Sequence, residues 1–378
     1  MKKLIKILVA TPFYYPHWGG SERYVLELYT ELLKTNKNVK VDVLAYDTEK
    51  TKTYKQVYKG MTVYRVPAWN ILPGQFAVPN YFNLFKLLKE LKRNSYSIIN
   101  SQTRFFENSW WAPFVAKYLG AKSVLTDHCA SHPVHTNSLV TLVAKIADFI
   151  FIKLIMNKYD SVIATSEATS KFLISQGAEA VDVVSNGIDT SEYIKGTKNN
   201  KKIQITFAGR MIESKGISLA VGAALKLVDR YPNLVFTFAG DGPLFSKLSK
   251  YARKNKIVFT GSLNKEDLQQ LLSGTDIFLF PSTHHDGLPS VLLEAGMSEC
   301  SVISTKSGGS ADIILNNKTG IIFEPNLEAL EEAIIILADN YQLRKEFSRN
   351  LFTLVNQGYD WKIIADKYMQ ILVSLLSK

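Results

Sequence analysis

The sequence has few cysteines, no long apolar run and no dinucleotide-binding glycine fingerprint. Its two cysteines, Cys129 and Cys300, give no disulfide framework and no cysteine zinc site, and they suit a reducing cytoplasm. The apolar part of the N-terminal stretch is short and Lys6 interrupts it, so we expect a first strand there and no signal peptide. No G-x-G-x-x-G occurs in the chain, which disfavours a nicotinamide or flavin site.

The length and the pattern of apolar segments predict two α/β domains. At 378 residues the chain can form two domains that each bury a core. Short apolar runs alternate with segments of helical period in both halves, which predicts two parallel, doubly wound, Rossmann-like sheets. The polar segment from Asn186 to Lys202 is the best linker candidate, so we place the boundary between residues 185 and 186.

The positive charge is concentrated in the first half of the chain. Residues 1–185 hold 23 lysines and arginines against 14 acidic residues, whereas residues 186–378 hold 22 against 20. Residues 51–100 alone hold eight basic residues against one acidic residue. This imbalance predicts an anionic partner for the first half.

Two apolar segments of the first half allow more than one interpretation. Large apolar residues such as Trp69 and Ile71 stand in a Pro/Gly loop before a basic helix from Leu84 to Arg93. This region fits either a surface on anionic lipid or a core-facing helix beside an acceptor loop. The segment from Ser138 to Asn157 is interrupted by charged residues and is too polar to span a membrane. We interpret it as a buried crossover helix, with monotopic membrane attachment as the alternative.

The stretch from Asp276 to Glu299 carries the most chemistry. A short apolar strand is followed by a turn and then by a helix, for which Pro289 suits the first position. The backbone N–H groups at such a helix start bind anions, and carboxylates lie on either side of it at Asp286 and Glu294. Two carboxylates around an anion site suit a ligand with hydroxyls on both sides of a phosphate, such as a nucleotide sugar.

Cations follow the first strand of the second half. Arg210 and Lys215 stand after the strand from Ile203 to Ala208, at its carboxyl end. An arginine fork and a lysine point charge at this position can neutralise a diphosphate. A solvated loop is the alternative interpretation of these two residues on their own.

Candidates in the first half are a glycine pair and a histidine. Gly19 and Gly20 precede a helix that Ser21 can cap, and such a loop lets backbone approach a phosphate. His128 follows the strand from Lys122 to Asp127, where open α/β sheets bind ligands. A zinc cluster of three histidines is the alternative, but no cysteine pair and no Asp-X-Asp supports a metal site. Its members would be His128, His132 and His135.

The order of these motifs along the chain resembles glycosyltransferase family 4, a large retaining family with the GT-B fold of two facing Rossmann-like domains. The resemblance implies a nucleotide-diphosphate sugar donor, held mainly by the second domain, and an acceptor on the first. It also implies that a C-terminal helix, residues 359–378, returns to the first domain, so that the second covers residues 186–358. The resemblance rests on the following strings: Gly19-Gly20-Ser21-Glu22, His128, Asn186-Gly187-Ile188-Asp189, Gly209-Arg210, Lys215-Gly216, and Asp286 to Glu294.

The resemblance also implies a role for each site residue. Asp286, where the family has Glu, would orient the sugar hydroxyls, and Glu294 would hold the ribose. Arg210 and Lys215 would bind the diphosphate, and His128 would contact the sugar. The other implied donor contacts are Gly19, Gly20, Gly209, Gly261, Leu263, Gly287, Leu288, Pro289, Ser290 and Val291.

We therefore predict a retaining glycosyltransferase that moves a sugar from a UDP- or GDP-sugar to a hydroxyl acceptor. The acceptor would be lipid-linked or a precursor of a cell-surface glycan, and no metal, other cofactor or nucleic acid would be needed. The protein would be cytoplasmic or peripheral on the cytoplasmic membrane face. Two alternatives remain: a nucleotide-sugar epimerase of the same fold, and a nucleotide-sugar-binding subunit impaired by the shorter Asp286.

Overall fold

The computed structural model describes residues 4–17, 19–51, 53–72, 76–134, 137–193, 198, 202–285 and 287–378. These residues form two compact units. The first unit comprises Met1–Gly187 together with Trp361–Lys378, and the second comprises Ile188–Asp360. Each unit has a sheet of its own with helices on both faces.

The first unit is built on one sheet of nine strands. Its spatial order is β3-β4-β2-β1-β6-β7-β8-β9, with β5 paired to β4, and only β3 and β5 run antiparallel to β4. The strands are β1 (Ile5–Thr11), β2 (Val39–Asp47), β3 (Lys55–Tyr58), β4 (Met61–Leu72), β5 (Phe76–Pro79), β6 (Ile98–Gln102), β7 (Lys122–Asp127), β8 (Ser161–Ala164) and β9 (Asp182–Val183). The helices are α1 (Gly20–Thr35), α2 (Tyr81–Leu91), α3 (Asn108–Leu119), α4 (Ser138–Leu154) and α5 (Glu167–Ser175).

Alternate residues of each central strand enter two different cores, as the two-residue period of a strand requires. In β1, Ile7 and Val9 pack with α1, whereas Leu8 packs into the core under α2, α3 and α4. Both cores are thus covered by helices. This arrangement explains why the strands read as near-continuous apolar runs.

The C-terminal helix, residues Trp361–Ser377, belongs to the first unit and packs against α1. Its buried face includes Trp361, Ile364, Tyr368 and Leu372. The hydroxyls of Tyr368 and Tyr29 lie 2.7 Å apart in this core, which satisfies two phenols that burial would otherwise leave without partners. The expected return of the C-terminal helix to the first domain is confirmed.

The second unit has a fully parallel sheet of six strands in the order β12-β11-β10-β13-β14-β15. The chain therefore leaves β10 in one direction and restarts beside it at β13, which confirms the doubly wound prediction. The strands are β10 (Ile203–Ala208), β11 (Leu234–Ala239), β12 (Ile257–Gly261), β13 (Ile277–Phe280), β14 (Ser301–Ser304) and β15 (Gly320–Ile322). The helices are α6 (Ile217–Leu227), α7 (Phe245–Leu248), α8 (Lys265–Ser273), α9 (Ser290–Met297), α10 (Leu327–Asp339) and α11 (Tyr341–Gly358); Trp361–Ser377 is α12.

Several local predictions were wrong. Helix α1 begins at Gly20 with Gly19 at its cap position, so Ser21 lies inside the helix and does not cap it. The predicted Pro/Gly loop after residue 66 is a β-hairpin of β4 and β5, because its β-branched and aromatic residues pair across strands. Residues 73–75 of that segment lie outside the described residues.

The prediction of a buried crossover helix from Ser138 was also wrong. Only Asp148, Phe151 and Ile152 of α4 are buried, and most of its large apolar side chains face solvent. Sequence hydrophobicity alone does not indicate whether another element covers a helix face. Among the described residues, no helix combines the length and the apolar character needed to cross a bilayer.

Candidate active site

The loops after β10, β11 and β12 are joined by backbone hydrogen bonds at the carboxyl edge of the second sheet. The amide of Gly209 donates to the carbonyl of Ala239 at 3.0 Å, and the amide of Gly240 donates to that of Gly261 at 2.8 Å. Gly209 and Gly261, two predicted donor contacts, are therefore linked through Ala239 and Gly240 at the end of β11. The carboxyl edge is where ligands bind in open α/β sheets.

A glycine is required at the centre of this junction. Gly240 has φ +129°, and a Cβ added there would lie 1.9 Å from the carbonyl oxygen of Gly209. No side chain fits this space without moving the backbone. The close approach of the two loops is thus a property of this glycine.

The loop carrying Lys215 is fixed to the loop after β13. The carbonyl of Ser214 accepts from the amides of Thr283 and His284 at 2.9 and 3.2 Å. Gly216, with φ +73°, packs so closely that an added Cβ would lie 2.1 Å from the carbonyl oxygen of Pro281. The backbone of the Lys215 loop therefore lies against the loop that precedes α9.

Arg210 and Lys215 differ in exposure. Arg210 is exposed at the end of β10, whereas Lys215 is partly buried in a short 3-10 helix over Glu213–Lys215. Glu213 lies between these two cations in the sequence, within the same short helix as Lys215. The arrangement can hold an anion that reaches from β10 towards α9.

Helix α9 begins at Ser290, one residue later than the prediction that placed Pro289 at the first helical position. Pro289 instead occupies the cap position with ψ 120°, because its ring fixes φ but the chain has not yet turned helical. No side chain of a described residue caps this helix, and its first turn has no acidic residue. The partial positive charge at the N-terminus of a helix favours an anion there.

Neighbouring loops support this helix start. The amide of Gly309 donates to the carbonyl of Gly287 at 3.1 Å, and the amide of Thr305 donates to that of Phe280 at 3.1 Å. Gly287 and Leu288 are buried as a result, whereas Ser290 and Val291 are partly buried. The turn at Ser307–Ser310, which follows β14, is thus hydrogen-bonded to the loop that precedes α9.

The two predicted carboxylates stand differently in the structure. Glu294 is 5% exposed and lies one turn into α9, where helical side chains tilt towards the N-terminus. Its position is consistent with a ligand at the helix start. Asp286 lies outside the described residues, and Leu263, predicted to contact the base, is partly buried after β12.

In the first unit, the glycine pair lies at the N-terminus of α1. A Cβ added at Gly19 would meet the carboxylate of Glu22 at 2.3 Å, whereas one added at Gly20 would meet nothing within 4 Å. Glu22 is 4% exposed, and burial raises the pKa of its carboxyl. The sequence did not predict that Glu22 folds back over the glycine loop.

His128 lies at the carboxyl end of β7, as predicted, within a buried polar network. Its Nε2 lies 2.9 Å from Oε1 of Gln102, whose amide group donates to Oδ1 of Asn100. Since that amide oxygen is an acceptor, His128 carries its proton on Nε2 and leaves Nδ1 as an acceptor. Burial lowers the pKa of His128 to about 4, which favours the neutral ring.

The network extends from His128 to the C-terminal helix. Oδ1 of Asn100 also accepts from the hydroxyl of Tyr29 at 3.0 Å, and Tyr29 contacts Tyr368 of α12. The ring of His128 packs edge-on against Tyr24, with centroids 5.0 Å apart. The sequence signal for these partners is the polar string Asn100–Gln102, which forms the carboxyl end of β6 and does not by itself indicate a role.

A buried arginine holds the loop that follows His128. Arg104 pairs with Asp127 and Asp148, and it donates to the carbonyl of Cys129 at 2.9 Å. Burial alone would lower the pKa of Arg104, but the two carboxylates raise it overall. His132 contacts the other oxygen of Asp148 at 2.5 Å. A single acidic residue in an apolar helix was the signal that could have revealed Asp148.

The histidines of the alternative zinc site are engaged in different contacts. His128 contacts Gln102 and His132 contacts Asp148, while His135 lies outside the described residues. Across the described parts of the chain, no three His, Cys, Asp or Glu side chains are grouped as metal ligands would be.

Two family models match the chain in succession. The model "Glycosyltransferase Family 4" matches residues 18–192, and the model "Glycosyl transferases group 1" matches residues 189–352. Together they span residues 18–352, which include all of the predicted site residues. The family inferred from the motifs is thereby confirmed.

Curated relatives and solved structures agree. An uncharacterized glycosyltransferase of Methanocaldococcus jannaschii is 27% identical over 99% of both chains. One subunit of the human phosphatidylinositol N-acetylglucosaminyltransferase is 26% identical over 96% of this chain and 74% of its own. Anabaena Alr3699/HepE in complex with UDP has a TM-score of 0.75 at 18% identity, covering 98% and 100% of the two chains. Sucrose-phosphate synthase from Thermosynechococcus elongatus has a TM-score of 0.76 at 18% identity over 99% of each chain. The similarity to these two structures shows that the chain has the GT-B fold.

Proposed function

Because this chain belongs to the family 4 glycosyltransferases, we propose that it transfers a sugar from a nucleotide-diphosphate donor to a hydroxyl acceptor with retention of configuration. The observation that carries the proposal is the fixed junction between the Lys215 loop and the loop before α9. Arg210 and Lys215 follow β10 and helix α9 follows β13, and these two strands are neighbours in the second sheet. A diphosphate is the ligand that this combination suits.

The donor would lie along the carboxyl edge of the second sheet. Arg210 and Lys215 would neutralise the diphosphate, Glu294 would accept from the ribose hydroxyls, and Gly261 and Leu263 would contact the base. Asp286 would orient the sugar hydroxyls. The presence of UDP in the Anabaena Alr3699/HepE complex supports a uridine donor, with a guanosine donor as the alternative.

The reaction would be driven by stabilisation of the leaving diphosphate. Charge develops on the bridging oxygen as the glycosidic bond breaks, and preorganised positive groups at that point lower the barrier. Arg210, Lys215 and the start of α9 would supply this charge without a metal. The acceptor hydroxyl would attack on the face from which the diphosphate leaves, since no residue stands out as a covalent nucleophile.

A cavity in the first unit supports an acceptor with an anionic group. It has a volume of about 360 Å³, lies between β4 and α2, and is lined by Arg65 and Lys86 among others. Arg65 is 3% exposed, and its guanidinium donates to the carbonyl of Tyr15. A buried guanidinium beside a lysine suits a phosphate, although Glu90 also lines the cavity.

The human relative is named for transfer of N-acetylglucosamine to phosphatidylinositol, a phosphate-bearing lipid. This name and the basic cavity together favour a phospholipid or another lipid-linked phosphate as the acceptor. Its soluble donor would be cytoplasmic, so we place the reaction at the cytoplasmic face of a membrane.

Donor binding can be tested by thermal shift. UDP, GDP, ADP and their sugars would be added to the wild type and to Arg210→Ala and Lys215→Ala. The control is Arg253→Ala, which removes a cation before the amino end of β12, at the opposite edge of the sheet. We expect one nucleotide to raise the Tm of the wild type and of the control more than that of either site variant. Equal shifts in all four proteins would overturn the proposed donor site.

A second assay separates the alternatives. Incubation of the enzyme with the donor sugar alone would give epimerised donor if the protein were an epimerase, whereas a transferase needs an acceptor. Binding of donor with no transfer to any lipid phosphate acceptor would favour the impaired binding subunit.

A further inference from the structure

Helix α4 has an apolar stripe that faces solvent. Seven large apolar side chains on it are between 40% and 69% exposed, and they recur every three or four residues along one side. The stripe consists of Leu139, Leu142, Val143, Ile146, Phe149, Ile150 and Leu154. Soluble proteins rarely expose a continuous apolar surface of this kind without a partner.

The opposite side of α4 fixes the helix to the first unit. Phe151 and Ile152 are buried in the core, and the ring of Phe151 lies 5.5 Å from that of Trp110 in α3. Asn137 caps the helix by accepting from the amides of Leu139 and Val140. The helix is therefore held in place by a narrow buried face, and its stripe is presented outwards.

Helices α2 and α3 extend the apolar surface on the same face of the sheet. Their inner residues share one core with α4, and their outer residues include Phe82 and Phe85 of α2, at 79% and 60% exposure. Phe114 of α3 is 52% exposed. Lys92, just after α2, lies over the ring of Tyr118 of α3 at 4.0 Å, which joins the two helices at their outer edge.

The charges on α2, α3 and α4 indicate which kind of partner this surface binds. Residues 81–94, 108–119 and 138–154 hold seven lysines and arginines but only two acidic residues, and one of these, Asp148, is buried. Lys145 and Lys153 are exposed on α4 next to the apolar stripe. Two copies of the chain that met through this face would bring like charges together, which disfavours a homodimer here. An apolar surface edged by lysines suits an anionic bilayer.

We propose that the outer surface of α2, α3 and α4 binds an anionic membrane, with the apolar stripe of α4 inserted at the boundary between headgroups and acyl chains. This surface would bring the proposed transferase to its lipid acceptor. Vesicle binding can be measured whether or not sugar transfer is observed. The lysines would contact lipid phosphates while their stems cover the apolar boundary.

The test is cosedimentation with vesicles of phosphatidylcholine, with and without phosphatidylglycerol, at low and high salt. The stripe variant is Val143→Ser combined with Ile146→Ser, and the charge variant is Lys145→Gln combined with Lys153→Gln. The matched control is Val373→Ser, since Val373 is 49% exposed on α12, which packs on the other face of the sheet. All of these positions are exposed, so circular dichroism spectra should match the wild type.

We expect the wild type and the control to bind phosphatidylglycerol vesicles, and binding to weaken as salt rises. The affinity of the stripe variant for the vesicles should be at least about tenfold lower, because it loses two inserted aliphatic groups. The charge variant should lose its preference for phosphatidylglycerol.

Absence of binding to either vesicle, or equal binding by the stripe variant, would overturn the proposal. So would a wild-type dimer that the stripe variant abolishes, which would identify a second copy as the partner. A donor-induced thermal shift measured on the same proteins would test the proposed function separately.

Discussion

Nε of Arg104 donates to Oδ1 of Asp148 at 2.8 Å, and both side chains are fully buried. Arg104 follows β6 and Asp148 lies in α4, so this bond ties α4 to the sheet. The same guanidinium holds the loop after His128 through Asp127 and the carbonyl of Cys129. The candidate active-site loop and the proposed membrane helix therefore share one anchor.

Loss of that anchor should be costly. Asp148→Ala leaves a buried guanidinium with one carboxylate fewer, and removal of one partner of a buried pair costs about 3–5 kcal/mol. We expect the free energy of unfolding, measured in urea, to fall by this amount. Asp229→Ala is the control because Asp229 pairs with Arg253 on the surface, where such a pair contributes less than about 1 kcal/mol. Comparable losses in the two variants would contradict the proposed role of the cluster.

His128 should make stability depend on pH. Burial lowers its pKa from 6.5 to about 4, so between these values the unfolded chain binds a proton that the folded protein does not. Stability is therefore lost as pH falls from 6.5 towards 4, by about 2 kcal/mol when the partial exposure of the ring is allowed for. Between pH 7 and pH 4.5, the free energy of unfolding in urea should fall by this amount more in the wild type than in His128→Gln. Parallel pH profiles for the two proteins would show that the ring is not buried in its neutral form.

Gly216→Ala should weaken donor binding. The new Cβ would lie 2.1 Å from the carbonyl of Pro281 and would separate the Lys215 loop from the loop before α9. Gly120→Ala is a matched control, because Gly120 has a similar φ of +69° but no atom within 4 Å of an added Cβ. Both variants should lose about 1 kcal/mol of stability from the left-handed backbone. Only Gly216→Ala should also raise the Kd for the nucleotide in a calorimetric titration, and an unchanged Kd would show that the junction does not shape the site.

Transfer should proceed without a divalent metal. Arg210, Lys215 and the N-terminus of α9 would supply the positive charge that a metal supplies in other transferases. We expect the rate to survive dialysis against EDTA and to fall when Arg210 is changed to alanine. Loss of activity in EDTA with recovery on addition of Mg²⁺ would refute this expectation.

Asp286 should govern the sugar end of the donor. Asp286→Ala removes a charged acceptor for sugar hydroxyls, and such a loss lowers kcat/KM by about 10- to 100-fold. Asp286→Glu restores the longer side chain of the family and serves as the companion variant. A transfer rate that Asp286→Ala leaves untouched would exclude this role, whereas a large gain in Asp286→Glu would indicate that the natural site is impaired.

Much of the second unit could be predicted because its determinants are local. The apolar runs of β10, β11, β13 and β14 are buried on both faces of the sheet, so their hydrophobicity marks them as strands without knowledge of their neighbours. Glycines at 209 and 216 and the string around Pro289 mark turns by their backbone preferences. The order of these motifs was therefore enough to identify the family.

The network around His128 could not be predicted, because its members come from distant parts of the chain. Gln102, Asn100 and Tyr29 meet only when β6, β7 and α1 pack together, and Tyr368 joins them from the last helix. The hydrogen bond from the amide of Thr283 to the carbonyl of Ser214 likewise joins two loops that are far apart in the sequence. No local pattern indicates which carbonyl such an amide will find.

The sequence by itself determined the alternation of strands and helices, the parallel sheet of the second unit and the family, since each follows from residue preferences over short distances. Tertiary structure alone decided which apolar surfaces are covered. Helix α4 is as hydrophobic as a buried helix, and only the absence of an element over its outer side, within the described residues, makes it a surface. The physical reason is that hydrophobicity drives burial without direction, while the packing of the sheet determines the faces that remain for a partner.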